Sequence, residues 1–535
     1  MRMTLSRLRT SRHAELVARA ALLACGCAAI AVGPLAGQRG SWRPEDRVLI
    51  TDFSQMSALA TDQRRVFAAT PEGIAVFDPF AERWLDPITL EDGYPLGADP
   101  TALAYDAFTD ELWLATVDGR ILSYSPFFGR WRDEGLADAP PVFEIAFGDG
   151  VGGVVYLRES RGWSVLERGG LRARPPGGGS FEAPPRVGPD PLDEAGLRAR
   201  GRTLTVDEAG RSWPITDAVT LMGSSDIWIG SYGGYLFRYG DFASDTKHFV
   251  YGVPGRGVGA VLTTEDAVWF GGDGHGRRRG VARSDHDLDA WLQWDARIHG
   301  APEGRVHDMA SVGGTLWVAA SGGLYALKAS GRWSRYGTRE GLPADAALAL
   351  APAGGGLWVG TERGATFVDG AGSPGAVIAR GIRVGGLAVA GDDLWLATDT
   401  GVLHAPGAAT GGTVVGVRRL GVASPRLGRR TRSVAVLNGA VYAAYDDGVV
   451  RVDDGSAAAV PLGGAGRQAR LRAAGGRLWV SGGQGARGWH PGSGDVVRYD
   501  VGRDVPVGPV LDVAVGAGGL WLATPAGALL LRGEP

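Results

Sequence analysis

The strongest order in the chain is a short apolar phrase that recurs along it. An aliphatic residue, an aromatic, a branched or small residue and then Ala, Gly, Ser or Thr are followed a few positions on by a glycine. Copies read LWLAT before Gly119, IWIGS before Gly233, LWVAA before Gly322, LWVGT before Gly364, and LWLAT before Gly401 and again before Gly527. Weaker copies centre on Phe67, Tyr156, Trp269, Tyr442 and Trp479. With the aromatic as marker there are eleven repeats, at Phe67, Trp113, Tyr156, Trp228, Trp269, Trp317, Trp358, Trp395, Tyr442, Trp479 and Trp521. Nine of the ten steps between them span 37 to 48 residues, and Tyr156 to Trp228 spans 72. A run that is apolar at nearly every position suits a strand covered on both faces.

One repeat read in full supplies the rest of the unit. Around Trp317, Val306 to Val312, Thr315 to Ala320, Gly323 to Lys328 and Gly331 to Tyr336 are four β-prone runs punctuated by Gly, Ser or Asp. The small residues Ala319 and Ala320 allow neighbouring sheets to approach, and the glycine after them permits the positive φ of a tight hairpin. Four short strands with a period of about 40 to 45 residues are the mark of one propeller blade. The expected fold is therefore an all-β propeller of about 11 to 12 four-stranded blades. Single rings hold about four to eight, so the blades are expected to form two propellers in tandem.

The expected division is a leader over 1–37, an N-terminal propeller over 46–300 with five or six blades, and a six-bladed C-terminal propeller over 301–535. An insertion over about 169–200 in the third blade accounts for the long step. The alternative there is an extra blade containing the hairpin Arg202 to Val206 with Arg211 to Ile215. The last repeat stops after its third run, whereas Arg47 to Phe53 is a β-prone run ahead of the first repeat. The C-terminal ring is thus closed either internally or by residues 47–53, a way of removing an exposed sheet edge.

Composition narrows the class. There are 87 Gly and 30 Pro in 535 residues, against long helices, and 44% hydrophobic residues, ample for a core. Net formal charge is -3 and the basic residues are scattered over many repeats, so neither nucleic acid nor an anionic membrane surface is an expected partner. The first forty residues differ. Arg2, Arg7, Arg9, Arg12 and Arg19 precede an apolar stretch from Ala20 to Ala36, the layout of a secretory signal with cleavage expected before Gln38. Leu22-Leu23-Ala24-Cys25 offers lipidation at Cys25 as a less favoured alternative, and an uncleaved anchor is a third. Both cysteines, Cys25 and Cys27, lie in this segment, so the mature chain is expected to hold neither thiol nor disulfide. The expected location is periplasmic or extracellular, with no membrane span after cleavage.

Trp333-Ser334-Arg335-Tyr336, then Glu340-Gly341-Leu342-Pro343, then LWVGT at 357–361 with Gly364, resembles the two-component regulator propeller repeat family. In that family a W-x-x-Y strand leads through a G-L-P loop into an LWxGT strand. Trp131 with Gly135-Leu136 and Trp84 with Asp92-Gly93 are partial matches; the repeat phrase covers roughly residues 47–532, and the G-L-P element is intact once. The resemblance implies an extracytoplasmic sensory or ligand-recognition propeller, often for carbohydrate, attached to a histidine kinase. No kinase sequence comes after Pro535, so a stand-alone binding or scaffold role is expected.

No reactive constellation stands out. The histidines beyond the leader form no H-x-H, H-E-x-x-H or Cys-His zinc pattern. His275, His286, His299 and His307 lie near Asp273, Asp285, Asp287 and Asp289, and read as parts of solvated loops; Asp285 to Asp289 lacks the glycine and distal Glu of a calcium loop. No catalytic residue, metal ligand or cofactor is assigned. Gly271 to Gly280 carries Arg277, Arg278 and Arg279 among glycines, where an anionic sugar or phosphate could sit. In propellers the turns between second and third strands surround the channel mouth. Those turns here hold Glu72, Asp118, Tyr232, Asp273, Glu362, Asp399, Asp446, Asp447 and Gln484. The candidate ligand residues are Asp118, Tyr232, Asp273, Arg277, Arg278, Glu362, Asp399 and Asp447. The function expected is an exported, non-catalytic propeller that binds a glycan, a peptide or an envelope protein. The alternative is a polysaccharide hydrolase or lyase, which requires two suitably spaced carboxylates in the channel mouth.

Overall fold

In the computed structural model, each of the eleven marker aromatics lies in the second strand of its own antiparallel sheet. The structure describes residues 46–533, apart from 96, 149–153, 177–190, 195–204, 208, 241–245, 276–279, 412–415, 421–427 and 454–455. Numbered in chain order by their first strands, the blades span 58–88, 100–136, 142–166, 215–249, 258–295, 306–336, 347–378, 384–419, 433–460, 470–500 and 512–532. Among the described residues ten have four strands and blade 3 has three. Beside the third strand of blade 3, Arg174 makes a bridge to Val165, and Arg172 makes one to Leu136 of blade 2. Most of the expected 169–200 insertion falls outside the described residues. The hairpin considered there as an extra blade is described only as one bridge, Val206 with Ser212.

The Trp317 repeat shows how the sequence builds a blade. Its strands are Val306–Val312, Thr315–Ala320, Gly323–Leu327 and Trp333–Tyr336. The second strand is buried from Leu316 to Ala320 because sheets cover both of its faces. The G-L-P loop then serves as the passage to blade 7. Gly341 adopts φ +108° after a short 3-10 turn, and Leu342 inserts into the apolar layer shared by blades 6 and 7. Comparable layers join blades 1 and 2, 2 and 3, 5 and 6, 7 and 8, 8 and 9, and 9 and 10.

First strands decide how the blades are grouped. That of blade 5 lies against those of blades 6 and 11, and contacts run on through blades 7, 8, 9 and 10 to 11, a closed cycle of seven. Blades 4, 1, 2 and 3 form a second row linked in the same way. A boundary near residue 300 would cut this cycle between its first and second blades; the chain enters it at Val258. The Trp269 repeat packs with the Trp317 repeat, its neighbour in this cycle.

A recurring side-chain contact joins neighbouring first strands. Asp308 of blade 6 accepts from the Leu350 N–H of blade 7 (2.9 Å), Ser433 of blade 9 from Leu471 of blade 10 (3.1 Å), and Asp512 of blade 11 from Val261 of blade 5 (3.2 Å). Asp217 of blade 4 accepts in the same way from Leu59 of blade 1 (2.8 Å). The outer strand of blade 11 is Arg47–Ile50, antiparallel to Gly527–Arg532, with Ile50 opposite Ala528. Blades 1 to 4 are thus inserted between the outer strand of the seven-blade cycle and its first blade. The two connecting segments meet where Asp52 bridges Gly252 and Phe53 stacks on Tyr251 at 4.9 Å. Trp84 stacks on the other side of Tyr251 at 4.5 Å and donates to the Val250 carbonyl (2.9 Å). One continuous core cluster accordingly includes Trp84, Trp228, Trp291 and Trp521, from both sets of blades.

Gly527 sits where closure is tightest. It has φ +136°, and a Cβ there would lie 2.2 Å from the Ile50 carbonyl oxygen. Gly527→Ala should lower unfolding stability by about 2 kcal/mol or more through strain and displacement of the closing strand. Gly483→Ala, in open space, should leave the thermal midpoint within error. Scanning calorimetry of both variants checks this.

Candidate functional site

Arginines gather where the first strands of the seven-blade cycle begin. Arg305 precedes blade 6, Arg383 precedes blade 8, Arg430 and Arg432 precede blade 9, Arg467 precedes blade 10, and Arg470 and Arg472 lie in its first strand. All seven line one opening of about 300 Å³, together with His307 and Asp308. Their positions derive from the repeat: the arginines stand at or near the first strands of blades 6, 8, 9 and 10, which the closed cycle brings together.

At its inner end lies a buried ion quartet. Arg470 reaches Asp308 (2.7 Å) and Asp512 (3.0 Å), and Arg472 reaches the same two carboxylates (2.6 and 2.8 Å). Asp512 is fully enclosed, and the quartet joins blade 10 both to its neighbour, blade 11, and across the ring to blade 6. Burial alone would raise the Asp308 carboxyl, but Arg472 and Arg470 outweigh it and hold it below the usual range. Arg472 is pushed up: burial opposes its charge, and the two carboxylates more than compensate. His307 responds oppositely, brought down to about 4 by burial and by Arg305, Arg470 and Arg383, with Asp308 only partly offsetting them. At neutral pH it is an uncharged ring 3.0 Å from the Ser321 hydroxyl.

Carboxylates from the second-to-third-strand turns hold the rim arginines. Glu362 pairs with Arg383 (3.3 Å), Asp399 with Arg430 (2.9 Å), Asp446 with Arg432 (2.6 Å) and Asp447 with Arg429 (3.0 Å). Of the expected residues, Glu362 and Asp399 pair with two arginines that line the opening, and Asp447 pairs with Arg429, which is not in its lining. Asp273 is buried beside Arg305 and accepts from the backbone N–H of His275 (2.9 Å), with the His275 ring at 3.0 Å. It lines a larger cavity of about 790 Å³ between the two sets of blades, with Gln55, Glu72, Arg256, Pro509 and Pro525 in its wall. Glu72 and Arg256 bridge that cleft at 2.8 Å. Arg305, Gln468 and Leu511 line both cavities, so cleft and opening adjoin one another.

Two expected residues lie elsewhere. Asp118 belongs to blade 2 and lines a separate cavity of about 260 Å³, its carboxyl lowered chiefly by the Thr116 hydroxyl. Tyr232 is bridged to Gln55 at the junction between the blade sets. Arg277 and Arg278 lie outside the described residues. The clustered histidines do not converge: His275 meets Asp273, His286 meets the Glu265 carbonyl and His299 caps Asp295. Among the described residues no three His, Cys, Asp or Glu side chains are placed to share a metal ion, and no helix is long and apolar enough to cross a membrane.

No family model and no curated protein matches the chain. Solved structures do resemble it. The extracellular domain of BT4673 from B. thetaiotaomicron, assigned to a one-component system, aligns at 12% identity over 90% of this chain and 76% of that one, with a TM-score of 0.44. That of BT3049, from a hybrid two-component system of the same organism, aligns at 13% over 93% and 77% (TM-score 0.41). PorZ, a surface component of the type-IX secretion system of Porphyromonas gingivalis, aligns at 13% over 91% and 87% (TM-score 0.36). At these identities the likeness is one of fold.

The quartet and His307 yield two expected outcomes. Arg472→Met, leaving buried carboxylates undercompensated, should destabilise by about 3 to 5 kcal/mol in denaturant titration. The unfolded chain protonates His307 near its ordinary value of about 6.5, whereas the folded chain resists until about 4. Its neutral form therefore contributes stability that is complete above that ordinary value and is lost as pH falls through the window toward 4. His307→Gln should show a shallower loss of thermal midpoint between pH 6.5 and 4.5 than the parent chain.

Proposed function

We propose that the chain is an exported, non-catalytic binding propeller whose ligand enters the arginine-lined opening of the seven-blade cycle. We read the two sets of blades as two propellers, with the row of four inserted into the cycle of seven. The observation that carries the binding reading is the convergence of seven arginines, from four blades of the cycle, on one opening. Such preorganised forks suit oxyanions, because each guanidinium presents its donors in a fixed plane. Export rests on the basic and apolar layout of residues 1–37.

The polysaccharide hydrolase or lyase reading fits the opening less well. A general acid needs a carboxyl whose proton is held near the working pH. Asp308 is held low by two guanidinium groups, and Asp512 is enclosed and paired with the same arginines. The rim carboxylates are likewise engaged with arginines.

A glycan and acidic-peptide array probed with the chain from Gln38 onward tests the proposal. Binding is expected to acidic members, with at least a roughly tenfold loss in the triple variant Arg383→Gln, Arg430→Gln, Arg432→Gln, which removes charge-assisted hydrogen bonds. Arg383 and Arg430 are exposed and contribute little to folding, as surface ion pairs generally do; Arg432 is more enclosed, so the thermal midpoint of the triple variant is measured alongside. Undiminished binding by the triple variant would place the site elsewhere.

A further inference from the structure

Five of the seven arginines at the opening have carboxylate partners within 4 Å. Arg305 and Arg467 form no such pair among the described residues. Arg305 is half-buried, and its Nε has no hydrogen-bond acceptor. The nearby Asp273 is engaged with both nitrogen donors of His275. Arg467 is exposed at the rim; Asp446 senses its charge but is committed to a two-point contact with Arg432 at 2.6 and 2.9 Å. His307, beside Arg305, is neutral at pH 7 and adds no charge. Arg305 and Arg467 are therefore the two arginines of the opening not held in an ion pair among the described residues, and Asp273 offsets the Arg305 charge only from beyond 4 Å.

Resting on the binding reading above, we propose that Arg305 and Arg467 form a subsite for a group carrying two negative charges, a phosphate monoester or a pair of carboxylates, at the end of a longer ligand. The longer ligand is suggested by the 790 Å³ cleft that adjoins this opening at Arg305, Gln468 and Leu511. Its wall there mixes Pro509, Pro525 and Leu511 with Gln55 and Gln468, suited to a chain with both apolar and hydroxyl surfaces. A group with two negative charges can form charge-assisted hydrogen bonds to both guanidinium groups, whereas a monocarboxylate such as acetate offers a single charge.

The test is isothermal titration of the chain from Gln38 onward at pH 7.5, at constant ionic strength, with inorganic phosphate, malonate and acetate. Phosphate or malonate should bind at least about tenfold more tightly than acetate, and Arg305→Gln and Arg467→Gln should each weaken that binding by about tenfold. Arg335→Gln, remote from the opening, should not. Preference for phosphate identifies a phosphoryl terminus and preference for malonate a dicarboxylate one. Equal affinities for all three anions, or affinities unchanged in both variants, overturn the proposal. Arg467 is exposed, so its variant remains informative even if Arg305→Gln unfolds. If the anions fail but a neutral ligand binds and is lost in the rim triple variant, the subsite falls and the binding reading stands. If the arrays also show no binding, both fall.

Discussion

The quartet of Asp308, Asp512, Arg470 and Arg472 is the interaction on which the seven-blade cycle and its opening both depend. Four charges in a protein interior are tolerable only because each is paired twice, and removing any one strands its partners. The carboxylates are also structural in a second sense. Asp308 holds the Leu350 N–H of blade 7, and Asp512 holds the Val261 N–H of blade 5, the contact by which the last blade meets the first. The same atoms that anchor the arginines therefore set the spacing of the blades. Because the arginines saturate both carboxylates, the inner end of the opening is rigid and electrically balanced, and the arginines outside ion pairs among the described residues lie toward the rim.

Closure imposes a second constraint. Blade 11 takes its outer strand from residues 47–50, and the chain then leaves the cycle, builds blades 1 to 4 and returns at Val258. Two crossing segments must lie side by side at the junction, and the stack of Phe53, Tyr251 and Trp84 covers them with aromatic surface. Arg532 of the closing blade pairs with Asp86 of blade 1 at 2.6 Å beside this stack. The junction also forms the cleft that adjoins the opening, so insertion of one blade set into the other creates the larger cavity.

Blade identity was legible because its cause is local. A second strand covered on both faces must be apolar along its length, and the aromatic phrase reports that directly. Grouping of the blades was not, because the linkers before blades 5 and 6 carry no contrasting composition; only the packing of first strands separates them. Turn residues Glu362, Asp399 and Asp447 could be placed by their position after the second strand, yet they read as an acidic face because their arginine partners, Arg383, Arg430 and Arg429, stand in other segments of the sequence. Arg305, Arg383, Arg432 and Arg470 each stand at or just before the start of a first strand, a register visible once the repeats are aligned. Read linearly, those arginines are scattered; ring closure brings them together. Asp118 occupies an equivalent turn but belongs to blade 2, and so faces a different cavity.

The central claim is that arginines spread from Arg305 to Arg472 act as one anion-binding surface. Hydrogen–deuterium exchange of the chain from Gln38 onward, with and without inorganic phosphate at constant ionic strength, measures this segment by segment. The account predicts slowed exchange together at 305–308 and 467–472, with blades 1 to 4 unaffected outside the cleft. Unchanged exchange in both segments, or protection confined to blades 2 and 3, would contradict it.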